Sequence, residues 1–206
     1  MVFEDEAVIA LAKPAGQPTI PGRGEVGKSL VTKLEEDRGV KFFVVHRLDR
    51  EASGLVLFAK DAETHRRLCV EFEARRAKKV YLALVAGRLE GEGVITEPLR
   101  EFGSGRMGPS PDGKPSKTLW SAERAFGGAT LLRVEPLTGR KHQIRAHLAF
   151  LGHPILGDPR YGPAPRPEGG VKRLMLHALS LRVEAARVYE LTAPPPADFN
   201  SVLAGR

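Results

Sequence analysis

Apolar residues along this chain are grouped in short runs that are typical of buried strands. Such runs occupy residues 7–13, 55–59 and 80–86, and the second run is unbroken, as expected for a strand covered on both faces. Strand-like segments follow at residues 129–135 and 181–192. Together these segments predict most of a central sheet.

Three helices are predicted between the strands. The first spans residues 29–36, and the second spans residues 62–76, with Asp61 placed to cap its N-terminus. The third spans residues 139–150. Its core-facing stripe consists of Ile144, Leu148 and Leu151. Because helices and strands alternate without a strict βαβ order and several strands have hairpin-like spacing, we predict an α+β fold with a mixed, mostly antiparallel central sheet.

Two segments lack such periodicity. Residues 100–117 are rich in Gly, Pro and Ser and carry several bases, which predicts a long mobile loop, and loops of this kind are often functional. Residues 193–206 are predicted to form an extended tail that frays from about residue 199. With 206 residues and no internal repeat, the chain fits a single domain over residues 1–206.

Composition narrows the cellular setting. Lys and Arg total 32 against 25 Asp and Glu, so the formal net charge is +7, which suits a nucleic acid partner and equally suits lysines in solvent. The single cysteine, Cys69, excludes an internal disulfide and a Cys-rich zinc site and is typical of a reducing cytoplasm. No apolar run approaches the roughly 20 residues that span a bilayer, and acids stand where a signal peptide needs bases. We therefore expect a soluble cytoplasmic protein.

One carboxylate lies in an unusually basic stretch, HRLDREASG. Asp49 stands between Arg47 and Arg50 and close to His46, in a turn just before the strand at residues 55–59. Neighbouring cations favour the ionised carboxylate, which would make it a nucleophile or a base. From these residues alone, a structural Asp that caps the turn or pairs with an arginine stays open.

A second basic constellation lies in LTGRKHQIRAHL, residues 137–148. Arg140 and Lys141 stand near the N-terminus of the predicted helix, and His142 and Arg145 share one edge of it. Free N–H groups and the helix dipole favour anions there, so a phosphate or a carboxylate could be held. A basic helix face in solvent is the alternative.

Other chemical templates are poorly matched. The six histidines have neither HxxxH nor HExxH spacing, so hydrogen-bonding roles are predicted and no metal site. Residues 22–29, GRGEVGKS, formally match a phosphate loop, but no buried strand leads into them. A glycoside hydrolase would need a second acid across from Asp49, and residues 137–148 offer only bases. Tyr81, in the strand at residues 80–86, is either a core residue or a ring that stacks on a base.

Taken together, seven motifs resemble the RluA-type pseudouridine synthases, in the same order and with the same spacing, over residues from about 5 to 198. They are AKPAGQP (12–18), HRLDREASGLVLFAK (46–60), KKVYLALVAG (78–87), GKPSKT (113–118), LTGRKHQIRAHL (137–148), GHPILGDPRYG (152–162) and LMLHA (174–178). The phosphate-loop match at residues 22–29 is then a coincidence.

The resemblance implies an enzyme that isomerises a uridine within RNA and needs no cofactor, metal or energy source. Asp49 matches the essential aspartate of the family, Tyr81 the tyrosine that stacks on the target base, and Arg145 the arginine that ion-pairs with the aspartate. Arg47 is a candidate to hold the flipped nucleotide or to fill the space it leaves. The other predicted substrate-binding residues are His46, Arg140, Lys141, His142 and Gln143. A basic RNA-binding cleft is expected around them.

Some features depart from the common pattern of the family. The sequence begins at the first catalytic-domain motif, so we expect no S4-type RNA-binding domain before it, and substrate selection by the catalytic domain itself. The family commonly shows HRLDRxTSG, whereas here Glu51 and Ala52 precede Ser53, so a threonine hydroxyl close to the site is missing. The layout and PGRG (21–24) are closest to the RluA branch, which implies large-subunit ribosomal RNA, tRNA or both as substrate. We also expect a monomer without an obligate protein partner. The alternative is a catalytically silent RNA-binding or RNA-folding module of the same fold.

Overall fold

The computed structural model of the chain describes residues 1–22, 28–162 and 171–204. Twelve strands are formed in these residues: β1 (Phe3–Glu4), β2 (Val8–Lys13), β3 (Phe43–Val44), β4 (Ser53–Ala59), β5 (Lys78–Ala86), β6 (Glu92–Ile95), β7 (Leu99–Glu101), β8 (Met107–Pro109), β9 (Thr118–Phe126), β10 (Ala129–Pro136), β11 (Leu176–Glu184) and β12 (Val188–Thr192). The helices in the same residues are α1 (Leu30–Arg38), α2 (Ala62–Glu73), α3 (Gln143–Phe150) and α4 (Ala197–Ala204). The chain divides into two compact units, residues 1–79 with 178–194 and residues 80–177 with 195–206.

The first unit is built around β2 and β4. These strands pair antiparallel from Val8 opposite Ala59 to Lys13 opposite Gly54. β1 pairs antiparallel with β2, β3 with β4, and β12 with β11. Every residue of β4 is buried, and α2 packs against this strand. The core of the unit includes Leu55, Leu57, Leu68, Leu181 and Tyr189.

Gly54 joins the HRLDREASG motif to the buried part of β4. Its φ is +120°, and a Cβ at this position would lie 2.3 Å from the carbonyl oxygen of Ala178 in β11. Any other residue would therefore combine an unfavourable backbone conformation with a collision against backbone atoms. The glycine allows β4 and β11 to approach closely, directly after the loop that carries Asp49.

The second unit contains a four-stranded antiparallel sheet and a separate hairpin. The sheet has the order β5, β10, β9, β6, and β7 pairs antiparallel with β8. Helix α3 packs against this hairpin and against β9 and β10. The contact between α3 and the hairpin is a small apolar cluster of Leu99, Met107, Ala146 and Tyr161.

The predicted α+β class and the mostly antiparallel pairing are confirmed, as are the strands predicted at residues 7–13, 55–59 and 80–86. Asp61 caps α2 as predicted, since its carboxylate accepts the N–H of Thr64 at 2.8 Å. The segment predicted as one strand at residues 181–192 forms parts of two, because β11 and β12 are an antiparallel hairpin.

The prediction of a long loop over residues 100–117 is wrong for residues 100–109, which form most of the β7–β8 hairpin, whereas no strand covers residues 110–117. Leu99 is buried and exchanges two backbone hydrogen bonds with Lys114, at 3.0 and 2.8 Å, and Met107 is buried against α3. The high content of Gly, Pro and Ser suggested a loop, but two apolar anchors at either end of β7 and β8 are enough to order the segment as a hairpin.

The third helix begins later than predicted. It starts at Gln143 instead of residue 139, because His142 has a left-handed conformation with φ of 50° that cannot continue a helix. Ile144 and Leu148 are buried as predicted, whereas Leu151 follows the last helical residue and is exposed. Arg140 and Lys141 therefore lie in the turn before the helix.

The extended tail is a further incorrect prediction. Residues 197–204 form α4, which is held by the fully buried Phe199. The guanidinium of Arg173 lies over the Phe199 ring at 5.6 Å and also pairs with Asp198. No helix in the described part of the chain is long and apolar enough to cross a bilayer. The stretches GRGEVGKS (22–29) and PGRG (21–24) fall partly outside the described residues.

Candidate active site

Asp49 lies in the first unit, in the connection between β3 and β4. The turn that it begins is closed by the N–H of Ala52, which donates to the Asp49 carbonyl oxygen at 3.2 Å. Ala52 is buried, Asp49 is half-buried, and the side chains of Arg47 and Arg50 are exposed. The small side chain at position 52, a departure from the family pattern, thus belongs to the packed base of the turn. The carboxylate has an outward-facing arginine on each side of it in the chain.

A buried lysine fixes the residue that follows Asp49. The ammonium of Lys13 donates to the carbonyl oxygens of Pro14 at 2.9 Å, Gln17 at 2.7 Å and Arg50 at 3.0 Å. An ammonium has three protons to donate, and charged donors form the stronger hydrogen bonds. Lys13 therefore ties the segment after β2 to the turn that carries Asp49.

The residue before Asp49 is fixed from the same segment. The Thr19 hydroxyl accepts the N–H of Leu48 and donates to the Leu48 carbonyl oxygen, both at 3.2 Å, and both residues are buried. The backbone is thereby held on either side of Asp49. The supporting roles of Lys13 and Thr19 were not predicted from the sequence, where their only signal is the AKPAGQP motif (12–18) with the residue that follows.

His46 supports this loop from the side of α2. Its ring stacks on Phe72, with centroids 5.0 Å apart and 15° between the planes, and its Nε2 accepts the N–H of Leu57 at 3.1 Å. Burial, followed by the nearby charge of Lys79, lowers the pKa of His46 to about 3. Because the ring is neutral at physiological pH, it cannot form an ion pair with a phosphate. The substrate contact predicted for His46 therefore remains a prediction.

In the second unit, Tyr81 and Arg145 are placed by β5 and α3. Tyr81 is half-buried and lies opposite Val134 of β10, next to the buried Leu82. Arg145 is in the first turn of α3, with a side chain that is 1% exposed. A buried guanidinium requires a partner that neutralises its charge.

Asp158 supplies such a partner within the second unit. Its two carboxylate oxygens each accept one hydrogen bond from Arg145, from Nε and Nη2, both at 2.8 Å. One oxygen also accepts the N–H groups of Arg160 and Tyr161. Burial acts to raise the pKa of Asp158, but the hydrogen bonds and the charge of Arg145 outweigh it, so the pKa lies below its ordinary value. The pair is ionised and fixes the direction of the Arg145 side chain.

Tyr161 joins this pair to the β7–β8 hairpin. Its hydroxyl accepts the N–H of Met107 at 2.8 Å and lies 3.1 Å from Nδ1 of His142. The guanidinium carbons of Arg145 and Arg106 lie 5.3 and 5.0 Å from the centre of its ring. Asp158 and Tyr161 belong to the GHPILGDPRYG motif (152–162), but no role was predicted for either residue from the sequence. The sequence signal for an ion pair was the acid in that motif, which follows the basic helix segment in the family pattern.

The amide of Gln143 is used within the protein. Its nitrogen donates to the carbonyl oxygen of Lys117 and to the hydroxyl of Thr118, and its oxygen accepts from the hydroxyl of Thr138 and the N–H of Arg140. These four bonds occupy all hydrogen-bonding positions of an amide group. The substrate contact predicted for Gln143 is therefore not supported by its geometry.

Arg140 and Lys141 lie at the surface before α3. Lys141 is exposed and forms an ion pair with Glu101 of the hairpin, and Arg140 donates from Nε and Nη2 to the Pro115 carbonyl oxygen at 3.3 Å. An exposed ion pair such as that of Lys141 contributes little to stability, so Lys141 can exchange Glu101 for a phosphate.

Five histidine rings form hydrogen bonds, as predicted. Besides His46 and His142, the bonded rings are His65 with the Val44 carbonyl, His147 with the Thr118 hydroxyl and the Glu97 carbonyl, and His153 with the Ala86 carbonyl. In the part of the chain that is described, no three His, Cys, Asp or Glu side chains are grouped closely enough to hold a metal ion.

Comparison with known proteins agrees with these features. The sequence profile of the family described as RNA pseudouridylate synthase matches residues 7–150, which include Asp49, Tyr81 and Arg145. An uncharacterized RNA pseudouridine synthase of Chloroflexus aurantiacus is 40% identical over 203 residues, covering 93% of this chain and 64% of its own length. The ribosomal large subunit pseudouridine synthase C of Haemophilus ducreyi is 37% identical over 218 residues, covering 99% and 68%.

The solved structure of human RNA pseudouridylate synthase domain containing 1 has the same fold. Its TM-score is 0.84 at 27% identity, and the match covers 98% of this chain and 86% of that chain. The chain spans about two thirds of the length of the curated relatives that it matches. It belongs to the RNA pseudouridylate synthase family, which confirms the resemblance to RluA-type enzymes drawn from the motifs.

Proposed function

We propose that this protein is an RNA pseudouridine synthase that isomerises uridine in large-subunit ribosomal RNA, tRNA or both, with Asp49 as the essential carboxylate. The observation that carries the proposal is the immobilised Asp49 turn, which Lys13 and Thr19 hold on both sides beneath outward-facing arginines. Relatives named as ribosomal large subunit synthases support ribosomal RNA. The resemblance to the RluA branch supports tRNA.

The proposed reaction is internally balanced. The N1–C1′ bond of the uridine breaks, the base rotates, and a C5–C1′ bond forms, while C5 loses one proton and N1 gains one. Asp49 either attacks C1′ or removes a ribose proton, and both steps need its ionised form. In the family pattern Tyr81 stacks on the base and assists removal of the C5 proton, and Arg145 pairs with the aspartate.

The target nucleotide has to leave its base stack before it can react. Arg47 is exposed directly before the Leu48–Asp49 turn, and we assign it to the flipped nucleotide or to the space that the base leaves. Arg140 and Lys141 are assigned to phosphates. If several phosphates are bound, affinity should fall steeply with salt. We expect the protein to act as a monomer in the cytoplasm, where ribosomal RNA is located.

Asp49→Asn and Asp49→Ala test the proposal. We expect both variants to lose uridine isomerisation, measured as tritium release from C5 of uridine in bulk ribosomal RNA and tRNA, while RNA affinity changes little. Asp37→Asn is a matched control, because Asp37 is exposed near the end of α1 in the same unit. Substantial turnover by Asp49→Asn would contradict the role of the carboxylate.

The same assay separates an enzyme from a silent RNA-binding module. A pure binding module leaves every uridine unchanged, even in the wild-type protein. Mapping pseudouridines in the host RNA with and without the gene then identifies the substrate: loss from both ribosomal RNA and tRNA supports dual specificity, and loss from one class alone excludes it.

A further inference from the structure

A groove in the second unit lies between the β7–β8 hairpin and α3. It has a volume of about 330 Å³, which is within the range of small-ligand sites. Its lining combines apolar, aromatic and basic side chains. The residues that line it include Phe102, Arg106, Met107, Ala149, Phe150 and Tyr161. We call it the hairpin groove.

Two phenyl rings of the hairpin groove face solvent. Phe102 is 40% exposed and Phe150 is 55% exposed, although burial of either ring would be favourable. The main chain of Phe102 is held by its N–H, which donates to the Arg106 carbonyl oxygen at 2.9 Å, and its ring lies against Gly108, where a Cβ would be 3.0 Å away. An exposed aromatic ring is a surface on which a flat group can stack.

Guanidinium groups accompany the aromatic rings of the groove. The guanidinium carbon of Arg100 lies 4.8 Å from the centre of the Phe102 ring, and that of Arg106 lies 5.0 Å from the centre of the Tyr161 ring. Arg160 and Lys141 also approach the hairpin at Gly105. Among the described residues at this end of the hairpin, these four cations face one carboxylate, Glu101, which is already paired with Lys141. The local charge is therefore positive.

The hairpin groove is connected to Arg145, the candidate catalytic arginine of the same unit. Tyr161 lines the groove and contacts Arg145, whose side chain Asp158 fixes. A molecule bound in the groove would therefore lie one side chain away from the candidate catalytic arginine.

We propose that the hairpin groove binds an unpaired base of the RNA substrate next to the reacting uridine, by stacking on Phe102 and Phe150, with neighbouring phosphates held by Arg100 and Arg106. Aromatic platforms inside a basic surface are how proteins bind single-stranded nucleic acid, since every base offers a flat π face. An apolar protein segment would be the expected occupant of an uncharged groove, and the surplus of cations favours RNA. The inference rests on the proposed function, because it takes the RNA substrate from there.

The test compares exposed aromatic and exposed aliphatic positions of the same unit. Phe102→Ala and Phe150→Ala should weaken binding of a fluorescein-labelled single-stranded RNA by roughly 5- to 150-fold per stacked base. The KM for the RNA substrate should rise in proportion, with kcat unchanged. Val94→Ala removes a side chain that is 54% exposed on β6 and should change neither value. Circular dichroism should show all three variants folded, because the substituted side chains are exposed.

Phe102→Leu and Phe102→Tyr test whether the occupant of the hairpin groove is a stacked RNA base. Stacking on a base predicts that Tyr restores RNA affinity and Leu does not. Equal affinity of Phe102→Leu and wild type would overturn the proposal, as would unchanged affinity of both alanine variants. Loss of self-association in the alanine variants by sedimentation, with RNA affinity retained, would also overturn it and assign the groove to a second copy of the chain. Failure of the proposed function is a separate result, because wild-type protein would then bind RNA without isomerising uridine.

Discussion

The buried pair of Arg145 and Asp158 makes the sharpest prediction about stability. The two side chains are 1% and 0% exposed and are joined by two hydrogen bonds of 2.8 Å. Asp158→Asn preserves the shape of the side chain but leaves the guanidinium buried without this negative charge. Removing one partner of a buried ion pair costs about 3–5 kcal/mol. For a chain of 206 residues, this lowers Tm by about 6–20 °C.

The chain contains a matched control for this substitution. Arg173 and Asp198 form a pair of the same type, with hydrogen bonds of 2.7 and 3.0 Å from Nε and Nη2, but the Asp198 side chain is 60% exposed. Asp198→Asn should cost at most about 1 kcal/mol, because solvent reaches the Asp198 carboxylate and screens the pair, and Arg173 keeps its hydrogen bond to the Leu174 carbonyl oxygen. Thermal and urea unfolding of both variants measures the difference.

The pH dependence provides a second check on the same pair. The pKa of Asp158 is lowered in the folded protein, so its contribution is fully present above the ordinary Asp value of about 3.9 and is lost as pH falls through the folded value. The gap in unfolding free energy between wild type and Asp158→Asn should be largest at neutral pH and should shrink below about pH 4. A gap no larger than that of the Asp198→Asn control, or one that does not depend on pH, would refute the reasoning.

Three further predictions concern the support of the site and the fold. His46→Gln keeps a hydrogen-bond acceptor but does not titrate. Compared with this variant, wild type should lose up to about 1.4 kcal/mol of unfolding free energy per pH unit as pH falls below 6.5, because the pKa of His46 is lowered to about 3. If the unfolding free energies of the two proteins, measured in urea, changed in parallel with pH, this prediction would be contradicted. Gly54→Ala should cost at least about 2 kcal/mol in urea unfolding because of backbone strain and collision with β11, whereas Gly103→Ala, with open space around it, should cost less than about 1 kcal/mol. Phe199→Ala should destabilise the protein by about 3–5 kcal/mol, because the ring is fully buried; a Tm within 2 °C of wild type, about 1 kcal/mol or less, would show that α4 is not docked.

Sequence patterns predicted the elements that depend on near neighbours. The unbroken apolar run of β4 identified a buried strand, and Asp61 identified the start of α2, because its carboxylate bonds to a backbone N–H only three residues ahead. Patterns failed where distant residues decide. Two buried residues, Leu99 and Met107, order a segment whose composition is that of a loop, and the buried ring of Phe199 converts the predicted extended tail into a helix.

In the candidate site too, sequence patterns predicted some features and distant contacts decided others. The motifs identified Asp49, Tyr81 and Arg145 as candidate catalytic residues, and their roles remain predictions. Motifs carry no record of what holds a side chain, so the sequence did not reveal Lys13 beneath the Asp49 turn. The sequence also led to a predicted substrate contact for Gln143, although the amide of Gln143 is fully bonded within the protein.

By itself, the sequence determined the family, the class of fold, the buried strands and the identity of the candidate catalytic residues, because these follow from motif order, apolar runs and local hydrogen bonds. Only the tertiary structure decided how the Asp49 turn is anchored, that Asp158 neutralises Arg145, and that residues 99–109 form a hairpin with a groove beside α3. The physical reason is that a buried charge or an unsatisfied carbonyl is compensated by whichever group the fold brings near. Lys13 and Arg50 are 37 positions apart in the chain, and Arg145 and Asp158 are 13 positions apart.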